Sequence, residues 1–469
     1  MNVLAKDLKK QTELVEQMAS GTDRFRQHFH LMPVTGWLND PNGLCVFQGV
    51  CHAFYQYSPF DAEGGLKLWG HCTSENMIDW RQEGAALYPD APFDCHGVYS
   101  GNAFVEDGRM YLYYTGNVKL DGDYDYIHAG REGNTVLTVS EDGKTFSPKK
   151  LLMRNGDYPE SVTCHVRDPK VWKKGDRYYM IQGARTKEDR GAALLFVSSD
   201  KEQWTYLRQI TTRETFGYMW ECPEYVEIGG KKVLSASVQG LTGEEWKNKN
   251  VYQSGYFYVE GDLLGEYQLS AYHLWDYGFD FYAPQSFRTE DGRLIQIGWM
   301  GMPDCPEHTN QTLADGWQHC FTFPREITEK DGILLQNPVR ELDEKKELVC
   351  TVGDRLHKEQ IKTFEVDVKY ITEAGFRAVL AEELVLEYRE GCFRMYFLHT
   401  DKEGVSGGRS MRCAELPKLW EVKILADVSS VEVFLNGGEA VFSTRYYPDT
   451  YRAEVEAPGA ELRFWNIQK

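Results

Sequence analysis

HFHLMPVTGWLNDPNGLCVFQG, residues 28–49, is the stretch whose reading decides the fold, with Asp40 at its centre. Asn39, Asp40, Pro41, Asn42 and Gly43 all favour turns, yet they stand between Trp37-Leu38 and the β-prone run Leu44-Cys45-Val46-Phe47. A carboxylate so placed falls at the mouth of a strand. An isolated DPNG is an ordinary β-turn whose Asp satisfies its own backbone. Repetition argues for more than that. Four further segments lead from a polar or acidic turn through an apolar run and a second turn into an aromatic strand. They are SGNAFVEDGRMYLYYTGN from Ser100, RDPKVWKKGDRYYMIQGA from Arg167, ECPEYVEIGGKKVLSASV from Glu221 and APQSFRTEDGRLIQIGWMG from Ala283. Four of the five units keep a Pro among their first three residues.

A second marker recurs downstream in four of the units. SENMIDW ending at Trp80, SEDGKTF ending at Phe146 and SSDKEQW ending at Trp204 carry Ser, an acid and an aromatic in one order, and GDLLGEY ending at Tyr267 is a degraded copy. A unit of roughly 50 to 70 residues holding several short strands is the signature of a propeller blade. Five units therefore predict an all-β fold whose main body is a five-bladed β-propeller. Equivalent positions of the blades surround one axis, so Asp40, Asp168 and Glu221 are expected to converge although they lie far apart in sequence. Three carboxylates in one pocket repel one another, which a purely structural role has no use for. They are read as catalytic.

WLNDPNG at Trp37 to Gly43, RDP at Arg167 to Pro169 and ECP at Glu221 to Pro223 resemble the three signature motifs of glycoside hydrolase family 32, the β-fructofuranosidases. The resemblance extends over nearly the whole chain through WGH at Trp69, YSGN at Tyr99, DYGFDFYAPQ at Asp276, GWMG at Gly298, FPRE at Phe323 and SSVEVFLNGGEAVFSTRYYP at Ser429. It implies a retaining hydrolase of terminal β-D-fructofuranosides, most similar to the members that act inside cells on sucrose 6-phosphate and sucrose. It further implies Asp40 as nucleophile, Glu221 as acid and base, and Asp168 as the group that holds sugar hydroxyls. Carried over motif by motif, Asn39, Gln56, Trp69, Ser100 and Arg167 are expected to line the fructose subsite, with Trp37, Tyr99 and Trp299 as walls. Short fructans as substrates, fructosyl transfer, an arabinofuranosidase-like propeller and a non-catalytic sugar-binding propeller are the alternatives. The last has no use for three converging acids.

Acidic residues outnumber basic ones, 71 against 52, and the formal charge of −19 disfavours nucleic acid and anionic membranes. The expected partner is a small sugar. Eleven Cys form no CxxC pair, so they read as reduced thiols, and no His/Cys cluster suggests zinc. Neither metal nor cofactor is expected, because two carboxylates suffice for glycoside cleavage. The opening MNVLAKDLKKQTELVEQMAS reads as a helix over residues 1–22, with Leu4, Leu8, Val15 and Met18 on one face. Lys and Glu interrupt any apolar core there, which predicts neither a signal peptide nor a membrane span, and hence a cytoplasmic protein.

The expected domains are the propeller over 23–335, a linker helix over 336–350 and a β-sandwich over 351–469. The sandwich is predicted from plain alternation and from the hairpin signal Asn436-Gly437, and it is the expected surface for any homo-oligomer. One insertion, VKLDGDYDYIHAGREGN, reads as a long segment without strand pattern inside the second unit. Its Lys119, His128 and Arg131 are the candidates for binding a substrate phosphate.

Overall fold

Each repeat unit folds into a blade of consecutive antiparallel strands, and the five blades surround one axis. The computed structural model describes residues 2–19, 21, 23–244, 247–305, 310–399 and 410–468. The first strands of the blades, Gly36–Phe47, Val98–Glu106, Val162–Lys174, Met219–Ile228 and Tyr282–Arg288, lie innermost, each against the next, with the fifth against the first. Trp317-Gln318 adds a short parallel strand beside Gly36-Trp37 and so ties the last unit to the first.

The recurring Pro has a structural meaning. Proline has no N–H for the ladder and is excluded from central strands unless a bulge removes it from the pairing. Every inner strand breaks register at the equivalent place: between Leu38 and Pro41, Tyr99 and Gly101, Arg167 and Lys170, Glu221 and Glu224, and Tyr282 and Gln285. In three of them the residue before the Pro is left-handed, Asp168 at φ 63°, Cys222 at φ 45° and Ala283 at φ 47°. Such bulges turn a side chain out of the sheet's alternation, here toward the axis.

Two residues further along, polar side chains staple neighbouring blades. Asn42 Oδ1 accepts from the Gly101 N–H and Asn102 Oδ1 from the Val171 N–H, each at 3.1 Å. Glu224 Oε2 accepts from the Ser286 N–H at 2.9 Å and pairs with Lys170 at 3.1 Å. The second sequence marker is the turn between the third and fourth strands. Asn76, Asp142 and Asp200 each accept backbone N–H groups there, from Ile78 and Asp79, Lys144 and Thr145, and Glu202 and Gln203.

Beyond the fifth blade, ten strands form a continuous, sandwich-like sheet. Its long last strand, Arg452–Ile467, pairs with Lys346–Glu359 on one edge and with Phe364–Lys369 and Phe376–Leu380 on the other. By serving both layers it encloses a core that includes Val366, Leu386, Phe393, Ile424, Val433 and Phe442. Asn436 and Gly437 make the hairpin turn with φ 52° and 72°, the signs a primed turn needs.

The structure departs from the sequence reading in three places outside the site. The connection between the two units is only the 3₁₀ turn Arg340–Lys345, because the last blade strand runs to Pro338 and the first sandwich strand starts at Lys346. The helix spans Val3–Met18 but buries Ala5 and Thr12 against the side of blade one, leaving Leu4 and Met18 exposed. The insertion is strand at both ends: Val118 pairs with Glu132 and Lys119 with Arg131, so the loop is confined to residues 120–130.

Candidate active site

The inner-strand bulges bring Asp40, Asp168 and Glu221 into contact through one residue. The Cys222 N–H donates to Asp168 Oδ2 at 2.9 Å, while its thiol lies 3.6 Å from Asp40 Oδ2, and Glu221 is its chain neighbour. Asp40 Oδ2 also accepts from the Ser100 hydroxyl at 2.5 Å, and Oδ1 from Asn39 Nδ2 at 3.2 Å. The Gln56 amide donates in turn to Ser100 Oγ. Asp168 is anchored by its own N–H, which donates to Thr115 Oγ1 at 2.9 Å.

Glu221 is the most heavily partnered of the three. Oε1 accepts from Arg167 Nη2 at 2.7 Å and Nε at 3.1 Å; Oε2 accepts from the Tyr282 hydroxyl at 2.6 Å and Gln239 Nε2 at 2.7 Å. Arg167 Nη1 donates to His165 Nδ1 at 2.6 Å, and His165 Nε2 faces the Tyr126 carbonyl at 3.0 Å. These two partners define a neutral imidazole with its proton on Nε2. Burial and the neighbouring Arg167 charge hold the His165 pKa down at about 2.

Crowding of acids away from water shows in their titration. Burial, with the charges of Glu221 and Asp40, pushes the Asp168 carboxyl up to about 7 in spite of Arg167. Burial also raises Asp40, against the hydrogen bond from Ser100. Lys67 moves the other way: burial takes its ammonium down to about 7 although Asp40 and Asp61 oppose this. Its Nζ stands 5.0 Å over the Trp37 ring.

The accessory residues divide into two rows. Trp37, half-buried, donates from Nε1 to Asn39 Oδ1 at 2.8 Å, and Tyr99 is half-buried beside Gly97. Trp69 and Trp299, expected at the sugar, are instead 0% and 2% exposed. They belong to outer strands, Leu68–Ser74 and Leu294–Met300, one row or more behind the inner ring. Trp69 holds the Tyr99 carbonyl through Nε1 at 3.0 Å, and Trp299 packs edge-on behind Trp37 with ring centroids 5.8 Å apart. Arg167 and Gln56 likewise serve the carboxylates, one on Glu221 and the other on Ser100. Tyr282, Gln239, His165 and Lys67 were not singled out from sequence. Tyr282 lies within DYGFDFYAPQ, but Gln239 arrives through the hairpin register Met219↔Gln239, for which the sequence carries no local signal.

Residues 30–338 match the model of the glycosyl hydrolases family 32 N-terminal domain, and residues 387–467 that of the family 32 C-terminal domain. The chain belongs to glycoside hydrolase family 32. Among its relatives is the sucrose-6-phosphate hydrolase of Bacillus subtilis, 38% identical, with the similarity covering 98% of this chain and 96% of that one. The family 32 fold matches the structure of a Lactobacillus gasseri sucrose-6-phosphate hydrolase at a TM-score of 0.88 and 28% identity, covering 99% and 97% of the two chains. A Bombyx mori family 32 β-fructofuranosidase superimposes at 0.86, also 28% identical, covering 99% of each chain.

Proposed function

We propose that this family 32 protein is a retaining β-fructofuranosidase whose substrates are sucrose 6-phosphate and sucrose. The observation that carries the reading is the meeting of Asp40, Asp168 and Glu221 around Cys222 on three inner-strand bulges. Sucrose-6-phosphate cleavage by the Bacillus subtilis relative supports the choice of substrate.

Asp40 attacks the anomeric carbon of the fructosyl unit while Glu221 gives its proton to the glycosidic oxygen, so the C–O bond breaks and the glucose half leaves with that oxygen as a hydroxyl. Glu221, now a carboxylate, takes a proton from water, whose oxygen displaces Asp40 from the anomeric carbon. Retention by this route needs the two carboxyls about 5 to 5.5 Å apart. Asp168 binds sugar hydroxyls and faces the positive charge that develops on the ring. Of the partners of Glu221, Arg167 and Gln239 Nε2 only donate, whereas the Tyr282 hydroxyl also accepts. Among these partners a protonated Glu221 can direct its O–H only to Tyr282, and otherwise to the substrate.

Fructose release from both sugars is the direct assay. Asp40→Asn should lower kcat roughly 10⁴-fold. Glu221→Gln should lose about 10² to 10⁴ in rate on sucrose, and much less on a fructoside with an activated phenol leaving group. An unaltered Asp40→Asn rate would overturn the reading. We further place the protein in the cytoplasm, supported by its eleven free cysteines and by a phosphorylated substrate. Among the described residues no helix is long and apolar enough to cross a membrane. For the sandwich we keep a subunit-contact role, supported by the exposed Leu348, Val349, Tyr370 and Trp420 on its surface.

A further inference from the structure

Two cations beside the candidate site lack, among the described residues, the carboxylate partner that Arg325, Arg445 and Arg167 possess. Buried Arg325 pairs with Asp276 and Glu432, Arg445 with Asp280, and Arg167 with Glu221. Arg131, by contrast, makes no salt bridge among the described residues, and its buried Nε has no hydrogen-bond partner among them. Burial and then the charge of Arg167 lower its pKa, the mark of a desolvated guanidinium without a close counter-ion. Lys67 is in the same condition: its Nζ rests over the Trp37 ring and among the described residues makes no salt bridge.

We infer that Arg131 and Lys67, both beside Tyr99, form the clamp for a phosphate ester carried by the leaving sugar. This rests on the fructofuranosidase reading above. A Cβ added to Gly97 would lie 2.7 Å from Tyr99 Cε1 and 3.4 Å from Lys67 Cβ, so Lys67 and the Tyr99 ring meet at Gly97. Lys67 feels the charge of Asp40, whereas Arg131 feels those of Arg167 and Glu221. On that reading Glu221 protonates the leaving oxygen, so a cation within reach of the Glu221 charge is within reach of the leaving sugar.

The charge argument points the same way. A sugar phosphate brings close to two negative charges at pH 7 to a pocket that already holds three carboxylates, on a chain of formal charge −19. It can bind only where local cations outweigh that field, and charge-assisted bonds to unpaired cations do so at short range. The other two candidates from the insertion are otherwise engaged or distant. His128 Nδ1 pairs with Asp125 at 2.7 Å on the exposed loop, and Lys119 is exposed with its Nζ 5.8 Å from the Tyr126 ring.

The test compares kcat/KM for sucrose 6-phosphate and sucrose in the wild type, Arg131→Gln and Lys67→Met, with thermal melts to confirm folding. The wild type should prefer the phosphorylated sugar, and each variant should lower the preference ratio about 30-fold, the range of a charge-assisted bond. Product inhibition gives an independent readout: glucose 6-phosphate should inhibit the wild type at least about tenfold more tightly than glucose, and Arg131→Gln should remove that difference. Arg131→Lys, which keeps the charge, should recover part of both effects. Fructose released equally well from both sugars by the wild type would overturn the clamp while leaving the fructofuranosidase reading in place. An unchanged ratio in either variant would remove that residue from it. No fructose from either sugar would remove both.

Discussion

Asp168 carries the electrostatic burden of the site, and its own titration makes that testable. Its carboxyl moves from the ordinary 3.8 to about 7 because it is buried next to two other acids. A carboxyl raised on folding favours its neutral form, so the folded state is relatively stable below pH 4 and loses that advantage as pH climbs through about 7. Asp168→Asn never carries the charge. It should therefore be more stable than the wild type at pH 8 by roughly 2 kcal/mol, with the gain vanishing toward pH 4, while its kcat falls roughly 10³-fold. Melting temperatures of both proteins across that range would show it. A gain that did not depend on pH would mean the carboxylate is not the source of the strain.

At the scale of strands, the site depends on how closely one blade presses on the next. Gly183, in the second strand of blade three, has no room for a side chain. A Cβ there would lie 2.1 Å from the Trp220 carbonyl oxygen and 3.2 Å from the Glu221 Cα, both backbone atoms that can yield only by moving the strand that carries the acid. Gly183→Ala should cost about 1 to 3 kcal/mol of stability and lower kcat roughly 10²-fold through displacement of Glu221. Gly156→Ala is the control, since nothing lies within 4 Å of its added Cβ. Equal behaviour of the two variants in denaturation and kinetics would show that the contact does not position the acid. The same scale explains the accessory tryptophans. Motif resemblance locates Trp69 and Trp299 near the site, but strand order puts them behind it, where they support Tyr99 and Trp37.

Over the whole molecule, propeller and sandwich are joined by a buried ionic network. The His30 ring lies between Asp427 and Glu432, each at 2.9 Å, and Arg325 joins Glu432 to Asp276. Burial pulls the His30 pKa down, but the hydrogen bonds and charges of the two carboxylates outweigh it and hold it at about 9. Asp427 and Glu432 are in turn held below their ordinary values, His30 and Arg325 offsetting the effect of burial. A raised histidine stabilises fully below its ordinary 6.5, and that contribution is lost as pH rises through about 9. The two lowered carboxylates stabilise above their ordinary values and lose it as pH falls through the lowered ones. His30→Gln should therefore destabilise the protein by about 3 kcal/mol at pH 6, and by progressively less as the pH rises from 6.5 through about 9. Thermal unfolding across that pH range measures it, and a constant difference would mean that the imidazolium charge contributes nothing.

Repetition of short-range chemistry made most of this legible in the sequence. A Pro that cannot enter a ladder recurs at the inner-strand bulges, an Asx turn recurs between outer strands, and Asn436-Gly437 marks its own hairpin. From these came five blades, the sandwich and the three acids, because each depends on residues adjacent in the chain. Contacts set by strand order and blade packing left no such trace. That Tyr282 and Gln239 hold Glu221, that Trp69 stands behind the ring, and that Arg131 is left without a carboxylate all depend on which strands become neighbours in space. Sequence named the acids proposed to react because their motifs are local; only the tertiary structure could supply their partners, because burial and electrostatics act between residues that the chain keeps far apart.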